Sequence, residues 1–435
     1  MEIEHIIQEL INSALNAVKP ANFIPDMIRL EQGVLKIRGN HYDLDQYAHI
    51  YVAAIGKAAI GMTEALDKII HPYVTEGIIL TKHIPPSCVL SSPYRILRGG
   101  HPVPTSESIN GAKAILGMLD KARSDDLVLF LISGGGSALM TDPIEGISLD
   151  TYQNFCSAIL GCGADIREFN ILRKHLDGVK GGRLAQHAAP ARQITIILSD
   201  VVGSDPDVIA SGPTVPDFSS YNDALAILDR YSGKACFPEK IREIIKRGCE
   251  GQLPETLKQN DPAFASSDIF LAAENRTAAY AAAAKGTELG FSSQVLTTRL
   301  TGEASAVGAI LPAFFSELGA PGLLILGGET TVSLKGNGLG GRNLETALAA
   351  VRPMAAYPGC VLATLATDGE DGPTDAAGAI VTSQTLQNSL SYGISPESFL
   401  QCNDSYHFFE KTGSLFKPGV SGTNVNDLVF LLRTE

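Results

Sequence analysis

The sequence predicts an α/β protein in which strands and helices alternate around a mainly parallel sheet. Three observations indicate this class. Short apolar runs rich in branched residues recur along the chain, helical segments separate them, and most runs are apolar throughout. Strands of parallel sheets have this pattern because helices cover both of their faces. At 435 residues the chain has room for two or three domains.

The first half of the chain predicts one series of strands and helices. An amphipathic helix is expected over residues 3–18, where isoleucine and leucine recur at helical spacing. The strands expected next are 50–55, 74–80, 127–132 and 194–198. One helix is expected to follow the first of these strands and to end near residue 65. Further helices are expected at 109–119, at 148–160 and in the basic stretch 169–185.

A second series follows residues 213–262, which are expected to form a connection with one or two helices. Its strands are expected at 269–272, 293–296, 322–326, 361–366 and 429–432, and its helices at 278–289 and 344–351. We therefore predict an N-terminal domain of residues 1–250 and a smaller C-terminal α/β domain of residues 251–435.

Composition excludes several classes of protein. The net charge of −13 disfavours binding to nucleic acid or to an anionic membrane. Seven cysteines without a CxxC pair argue against a disulfide scaffold or a structural zinc site and favour a reducing, cytoplasmic setting. The N-terminus lacks the apolar core of a signal peptide, and the apolar runs are too short to span a bilayer. Glycine, at 43 residues, is in excess and falls in clusters.

The first glycine cluster follows the apolar strand 127–132. Backbone N–H groups in a glycine turn that opens a helix can converge on an anion. We expect this turn to bind phosphate or carboxylate, although a purely structural turn is the alternative. The candidate residues are Ser133, Gly134, Gly135, Gly136 and Ser137. The motif is neither GxGxxG nor a Walker loop, so it does not predict a dinucleotide site.

Two basic residues lie at similar junctions. Lys57 follows the strand 50–55 among small residues and is a candidate for neutralising phosphoryl charge. Arg342 follows the glycine-rich loop 336–341 at the start of a helix, where a guanidinium can grip phosphate oxygens. A solvated surface lysine and a surface arginine on a flexible hairpin are the alternatives.

Carboxylates follow two of the expected strands. Asp368 and Asp371 belong to an acidic loop, which predicts Mg²⁺ held by one or two carboxylates together with nucleotide phosphates. Asp200 follows the strand 194–198 and is a candidate general base or metal ligand. An acidic surface loop and helix capping are the competing interpretations.

Weaker candidates complete the set. Arg173 and Lys180 belong to a basic cluster that could line the site of an anionic substrate in this acidic protein, although a solvated helix face is the default. Asn275 and Glu329 lie beside strands and are candidates for contact with nucleotide or substrate. His101, between glycine and proline, is more often structural than catalytic. Anion-binding loops, basic side chains and clustered carboxylates together indicate phosphoryl transfer.

The motifs, in chain order, resemble the class II glycerate kinase family, also called the MOFRL family. The strings that carry the resemblance are AIGKAA (54–59), GGHPVP (99–104), LISGGGSALM (131–140), ILRKHLDGVKGGRLA (171–185), ILSDVVGSDPDVIASGPT (197–214), GGETTV (327–332), GGRNLE (340–345), TDGEDGPTDAAGA (367–379) and GTNVNDL (422–428). The resemblance covers nearly the whole chain.

The resemblance implies ATP-dependent phosphorylation of D-glycerate at its 2-hydroxyl, with Mg²⁺. It also implies an N-terminal Rossmann-like α/β/α sandwich and a C-terminal α/β domain, with the active site in the cleft between them. The family's cleft lysine matches Lys57 and its cleft arginine matches Arg342. On this basis Lys57 and Arg342 are expected to contact the donor phosphate, Asp200 or Asp368 to orient Mg²⁺ or accept the hydroxyl proton, and the loop 336–341 to close over the site.

Two rival functions stay open from the sequence. One is an NAD(P)H-dependent hydroxypyruvate reductase, against which the missing GxGxxG speaks. The other is a non-catalytic sensor of a nucleotide or sugar phosphate, against which the acidic loop speaks. The oligomeric state is not fixed by the sequence, and a homodimer is the candidate.

Overall fold

In the computed structural model, which describes residues 3–434, helices and strands alternate along most of the chain. The helices are α1 (Ile3–Ala17), α2 (Pro20–Met27), α3 (Ala59–Ile70), α4 (Ser106–Leu119), α5 (Gly136–Leu139), α6 (Leu149–Gly161), α7 (Ile166–His175), α8 (Arg183–Ala188), α9 (Tyr221–Tyr231), α10 (Glu239–Cys249), α11 (Asn275–Glu288), α12 (Ala304–Ile310), α13 (Arg342–Met354), α14 (Thr385–Ser391), α15 (Pro396–Gln401) and α16 (Ser405–Thr412). Among residues 3–434, none of the helices has the length and apolar character needed to cross a lipid bilayer.

The strands form three sheets. They are β1 (Ile28–Glu31), β2 (Val34–Ile37), β3 (Asn40–Asp43), β4 (Ile50–Ile55), β5 (Glu76–Thr81), β6 (Tyr94–Arg98), β7 (Leu127–Ser133), β8 (Arg192–Leu198), β9 (Ser267–Ala273), β10 (Ser292–Leu300), β11 (Gly322–Gly328), β12 (Cys360–Ala366), β13 (Gly378–Thr382), β14 (Leu415–Phe416) and β15 (Asp427–Arg433). The predicted strands and helices of both series are present, which confirms the α/β class.

The chain divides into two compact units, which we name after their sheets. The parallel-sheet unit comprises residues 23–199 and 204–272. The mixed-sheet unit comprises the residues up to Asn22, the short segment Asp200–Gly203 and the residues from Ala273 onward. The division therefore differs from the single boundary after residue 250 that the sequence predicts. The physical reason is that α1 packs on α11, far along the chain.

The parallel-sheet unit is built on a six-stranded sheet of order β6-β5-β4-β7-β8-β9. Its pairs β6-β5, β5-β4, β4-β7 and β7-β8 are parallel. When the six strands of this sheet are numbered in chain order, this is the order 3-2-1-4-5-6 of doubly wound nucleotide-binding sheets, so the expected Rossmann-like architecture is confirmed. In such sheets ligands bind at the carboxyl ends of the strands where the order reverses, which here is between β4 and β7.

The mixed-sheet unit has a six-stranded sheet of order β10-β11-β15-β12-β13-β14. Strand β15 is antiparallel to both β11 and β12, so those two strands run in the same direction. Asp427, the first residue of β15, pairs with Gly328 on one side and with Ala366 on the other. The loops that follow β11 and β12 therefore leave the sheet beside the start of β15.

Helix α13 fixes one more part of that edge. Its residues Leu344, Leu348 and Val351 are buried in the core of the mixed-sheet unit together with Val429 and Leu431 of β15. Because this face is anchored in the core, the first turn of α13 is held at the edge of the sheet where β11 and β12 end.

Two local features differ from the predictions. Strands β1, β2 and β3 form a small antiparallel sheet that the sequence does not signal, because four-residue strands are too short to show a period. The expected helix 169–185 is two helices, since α7 ends at His175 and α8 begins at Arg183. Gly181 and Gly182, with φ of 57° and 84°, break the helix between them.

Candidate active site

The glycine turn after β7 is held against the turn after β4. The backbone N–H of Lys57 donates to the carbonyl of Gly134 over 2.9 Å, and that of Ala58 donates to Ser133 Oγ over 3.1 Å. Gly56 has φ of 130°, and a Cβ there would lie 2.1 Å from Ser133 Oγ. Only glycine fits at this position, so the close approach of the two turns is encoded in the sequence. Ser133 is thereby a buried support for the turn.

Four side chains place positive charge or hydrogen-bonding nitrogen around the glycine turn. A Cβ on Gly135 would lie 3.1 Å from His101 Cδ2 and 3.3 Å from Lys57 Cγ, so both side chains flank this glycine. Burial and then the charges of Lys57, Lys82 and Arg173 lower the pKa of His101 to about 4. The imidazole is therefore neutral at pH 7 and lies among three cations.

Ser137 lies at the solvent side of the same turn and is oriented by a chain of hydrogen bonds. Its hydroxyl is 2.8 Å from that of Ser211, which donates to Asn170 Oδ1 over 2.9 Å. Gly136 is covered by Ala210, whose Cβ would be 2.7 Å from a Cβ on the glycine. The predicted glycine-turn residues are thus brought together, with Ser137 and Gly135 half-buried and the others buried.

Lys180 and Arg173 come from the predicted basic cluster but differ in role. Lys180 is fully buried and donates to Asp177 Oδ2 over 2.6 Å, to the Met140 carbonyl and to Thr141 Oγ1. Burial lowers the pKa of Lys180, although Asp177 opposes this shift. The structure thus places Lys180 beneath the glycine turn, where it supports the chain after α5. Arg173 stacks 3.5 Å above the Phe169 ring and has no carboxylate partner among residues 3–434.

In the mixed-sheet unit, Arg342 is held by two carboxylates. Its Nε donates to Asp427 Oδ2 over 2.5 Å and one terminal nitrogen lies 3.2 Å from Asp427 Oδ1, while the other lies 2.7 Å from Glu329 Oε1. Burial disfavours the charged guanidinium, but the charge and hydrogen bonds of Asp427 and the charge of Glu329 outweigh it and raise the pKa of Arg342. Arg342 and Glu329, both predicted, are therefore brought together.

Asp371 is turned away from solvent and caps helix α13. Its two oxygens accept hydrogen bonds from the backbone N–H groups of Asn343 and Leu344 over 3.1 and 2.7 Å. Burial raises the pKa of Asp371 to about 7, against the effect of those hydrogen bonds. A carboxylate used in this way offers its oxygens to the helix start, not to a cation.

Asp368 and Asp200 lie near the loop that leads into β15. Asp368 is half-buried, and its Oδ1 accepts from the Glu370 N–H over 3.3 Å. Its charge contributes to the raised pKa of Asp427, for which burial is the main cause. Asp200 Oδ2 lies 3.5 Å from Asn424 Nδ2. The predicted carboxylates of the mixed-sheet unit therefore surround the same edge as Arg342.

Asn275 supports the loop that leads into β15 at that edge. Its Nδ2 donates to the carbonyls of Val425 and Asp427 over 2.8 and 2.9 Å. These bonds fix the loop that carries Asp427, so Asn275 contacts backbone of the chain itself.

A cavity of about 430 Å³ opens beside Arg342. Its lining includes Glu329, Glu345 and Leu334 together with Gly338, Gly340 and Gly341 of the glycine-rich loop. That loop is held in place, because Asn403 Oδ1 accepts from the N–H groups of Lys335 and Gly336 over 2.6 and 3.0 Å. Gly336, Gly338 and Gly340 approach residues 402–405 closely, so these contacts also hold the loop in this structure.

The two predicted metal ligands differ in their fit to Mg²⁺. Within the described part of the chain, no three acidic, histidine or cysteine side chains are grouped so as to hold a metal ion. Asp371 fits less well than Asp368, since it is buried and both of its oxygens already accept backbone hydrogen bonds. Asp368 fits as a single carboxylate, the arrangement in which Mg²⁺ takes its other ligands from phosphates and water.

The sequence reasoning missed the carboxylate of Asp427 and the cation of Lys82. Asp427 lies in the quoted string GTNVNDL at the start of an apolar strand, whereas Asp200 was singled out because it follows a strand. Lys82 follows β5 in the same way that Lys57 follows β4, so the position at a strand end was the available clue.

The fold and the site define a two-unit α/β protein with a glycine turn flanked by cations in one unit and a carboxylate-held arginine in the other. Two family models match the chain: a domain of unknown function (DUF4147) over residues 6–246, and the MOFRL family over residues 322–427. The chain belongs to the family of glycerate kinases that these two models describe.

Several relatives are similar over their whole length. A glycerate 2-kinase from Pyrococcus horikoshii is 38% identical, with 100% of this chain and 98% of the relative covered. A crystal structure of glycerate kinase from Thermotoga maritima has a TM-score of 0.85 and 35% identity, with 99% of each chain covered. A putative hydroxypyruvate reductase from Agrobacterium vitis is 37% identical over 88% of this chain and 98% of the relative.

Proposed function

We propose that this chain is an ATP-dependent kinase that phosphorylates D-glycerate at its 2-hydroxyl, giving 2-phospho-D-glycerate and ADP. The relatives named as glycerate kinases support the substrate and the reaction. D-glycerate is a small molecule. The candidate residues, which are individual side chains at the ends of strands, are in keeping with a substrate of that size.

The structural observation that carries the proposal is a group of cations without carboxylate partners. Within residues 3–434, Lys57, Lys82 and Arg173 form no ion pair, although the protein carries 47 acidic residues. Their charges converge on His101 beside the glycine turn. Uncompensated positive charge next to a turn of backbone amides favours a bound anion, such as a carboxylate or a phosphate.

The reaction assigns a role to each candidate. The glycerate 2-oxygen attacks the γ-phosphorus of ATP, the bond between that phosphorus and the bridging oxygen breaks, and the hydroxyl proton must be accepted. We assign the neutralisation of phosphoryl charge to Lys57 and Arg342 and the acceptance of the proton to Asp200. Gly134, Gly135 and Ser137 are assigned to anion binding. Phosphoryl transfer depends mainly on such positioning and charge neutralisation.

Asp368 would hold Mg²⁺ together with the nucleotide phosphates. The ion would supply charge neutralisation between the β- and γ-phosphates. Asp371 is assigned to helix capping instead, and Arg342 is oriented by Asp427 and Glu329.

A direct assay tests the proposal. The full chain is incubated with ATP, Mg²⁺ and D-glycerate, and the product is identified by phosphorus NMR. We expect the 2-phosphate, whereas formation of the 3-phosphate would overturn the regiochemistry, and absence of any ATP-dependent product would overturn the kinase.

The same preparation tests the reductase that the Agrobacterium relative's name suggests. The turn after β4 reads Ile55-Gly56-Lys57-Ala58 and lacks the GxGxxG of dinucleotide sites, although the strand order is that of such sheets. We expect no oxidation of NADH or NADPH with hydroxypyruvate. Hydroxypyruvate-dependent oxidation at a rate above that of glycerate phosphorylation would favour the reductase.

A further inference from the structure

His101 is placed at the same strand edge as the glycine turn. It follows β6, which β5 and β4 separate from β7, and its ring lies against Gly135, with Nε2 3.4 Å from the position of a Cβ on that glycine. The loop that carries it is fixed, since the Gly100 N–H donates to Ser108 Oγ over 2.9 Å. A side chain so positioned faces whatever the turn binds.

The ring nitrogens of His101 have no partner in the described residues, which distinguishes it from the histidines that pair with carboxylates. Those histidines are His49, His71, His175, His187 and His407. In the described residues neither nitrogen of His101 has a hydrogen-bond or ion-pair partner. The charged groups that face it are the cations Lys57, Lys82 and Arg173.

A neutral imidazole supplies what these cations lack. Ammonium and guanidinium groups only donate hydrogen bonds, whereas one nitrogen of a neutral imidazole accepts. A hydroxyl group bound beside the anionic group of the substrate needs such an acceptor for its proton. Since the three cations oppose protonation of the ring, His101 is a stable acceptor and a poor proton-abstracting base.

We propose that His101 binds the 3-hydroxyl of D-glycerate, the hydroxyl that is not phosphorylated, and so distinguishes glycerate from 2-hydroxy acids that lack it. This inference rests on the proposed function, because it takes the 2-hydroxyl as the reacting group. His101 is then a specificity residue that touches the substrate, and the reacting hydroxyl is left to Asp200.

The test compares D-glycerate with D-lactate, which keeps the carboxylate and the 2-hydroxyl but has a methyl group in place of the hydroxymethyl group. Binding of both acids to the full chain is measured by calorimetry without ATP, for the natural sequence, His101→Phe and His101→Gln. His187→Phe, at a half-buried histidine on α8 that pairs with Asp120, is the control.

The natural sequence is expected to bind glycerate at least tenfold more tightly than lactate, since a site built to bind a hydroxyl rejects the analogue without it. His101→Phe should lose most of that ratio by weakening glycerate alone, and His101→Gln, which keeps an acceptor, should retain most of it. His187→Phe should leave the ratio unchanged.

Three results would overturn the proposal: no preference in the natural sequence, an unchanged ratio in His101→Phe, or an equal weakening of both acids by that substitution. Thermal melting of each variant identifies one that fails to fold, and loss of the ratio in a folded His101→Gln variant would also overturn the proposal, because glutamine keeps an acceptor. Glycerate binding with this selectivity but without phosphorylation would overturn the proposed function and leave the assignment of His101 standing.

Discussion

The ammonium of Lys57 and the guanidinium of Arg342 are held in different ways. Lys57 is exposed and unpaired among the described residues, while Arg342 is fixed by Asp427 and Glu329. A mobile point charge can follow a phosphoryl group, whereas a fixed guanidinium defines where phosphate oxygens bind.

Replacing either cation should therefore impair catalysis. Lys57→Ala and Arg342→Ala are each expected to lower kcat/KM for D-glycerate by about 10²–10³-fold, since each removes stabilisation of phosphoryl charge. Steady-state kinetics measures the effect. Lys68→Ala on α3 and Arg352→Ala on α13 are matched surface controls that should retain activity. Near-normal kcat/KM in both site variants would refute the assignment.

Asp371 gives a prediction about pH and stability. Its carboxyl has an ordinary pKa of 3.8 and holds its proton up to about pH 7 in the folded protein. Between these values the folded state binds more protons than the unfolded state, so the stability due to this group falls as pH rises, by up to about 4 kcal/mol. Melting temperatures from pH 4 to 8 should decline less steeply in Asp371→Asn than in the natural sequence. An identical pH dependence would contradict the buried, protonated carboxyl.

The limits of sequence reasoning are clearest at Lys180 and Asp371. Both residues have the chemistry expected of a site, but Lys180 bonds to Met140 and Thr141, and Asp371 to Asn343 and Leu344. These partners are 27 to 40 positions away. The local sequence does not show that a charged side chain already forms its hydrogen bonds with residues so far away in the chain.

At the scale of elements, prediction succeeded where one apolar run makes one buried strand. Strand β4 has the predicted bounds, and β7 and β12 differ by one residue. Direction is harder to predict, because β15 reads like the other buried strands yet runs antiparallel between β11 and β12. The direction of a strand is determined by its pairing with distant segments, so the hydrophobic pattern of the strand alone does not predict it.

The junction of β4 and β7 depends on one glycine. Gly56→Ala forces a Cβ against Ser133 Oγ and the Ser133 carbonyl, at 2.1 and 2.5 Å, and strains a backbone of positive φ. We expect a loss of stability of about 2–4 kcal/mol and of most activity, measured by thermal melting and kinetics. Gly117→Ala in α4, where a Cβ meets nothing within 4 Å, should instead stabilise by about 0.5–1 kcal/mol. Similar melting of the two variants would contradict the strained junction.

At the scale of the whole molecule, helix α1 belongs to the mixed-sheet unit, which is otherwise formed mainly by residues from Ala273 onward. Leu10 of α1 is fully buried and approaches Gly286 of α11, which in turn packs on Leu323 of β11. Ser13 Oγ also donates to the Ala281 carbonyl over 3.0 Å. Helix α1 therefore completes the outer layer of the mixed-sheet unit.

Leu10→Ala should destabilise that unit by about 2–5 kcal/mol, because it leaves a cavity between α1 and α11. Hydrogen exchange followed by mass spectrometry is expected to show faster exchange in β11 and β15, with β4 and β7 little changed. His5→Ala, at an exposed position on the same helix, is the control. Faster exchange confined to β4 and β7 would argue against the placement of α1.

The packing of α1 on α11 also has a consequence for folding during synthesis on the ribosome. The segment between these helices must be translated before α11 exists, which takes about 13–50 s at typical elongation rates. During that interval the apolar stripe of α1, with Ile6, Ile7 and Leu10, has no native partner. The parallel-sheet unit has all of its strands emerging consecutively and can fold meanwhile. Nascent chains of this protein are thus expected to need chaperone protection over α1 and not over the parallel sheet.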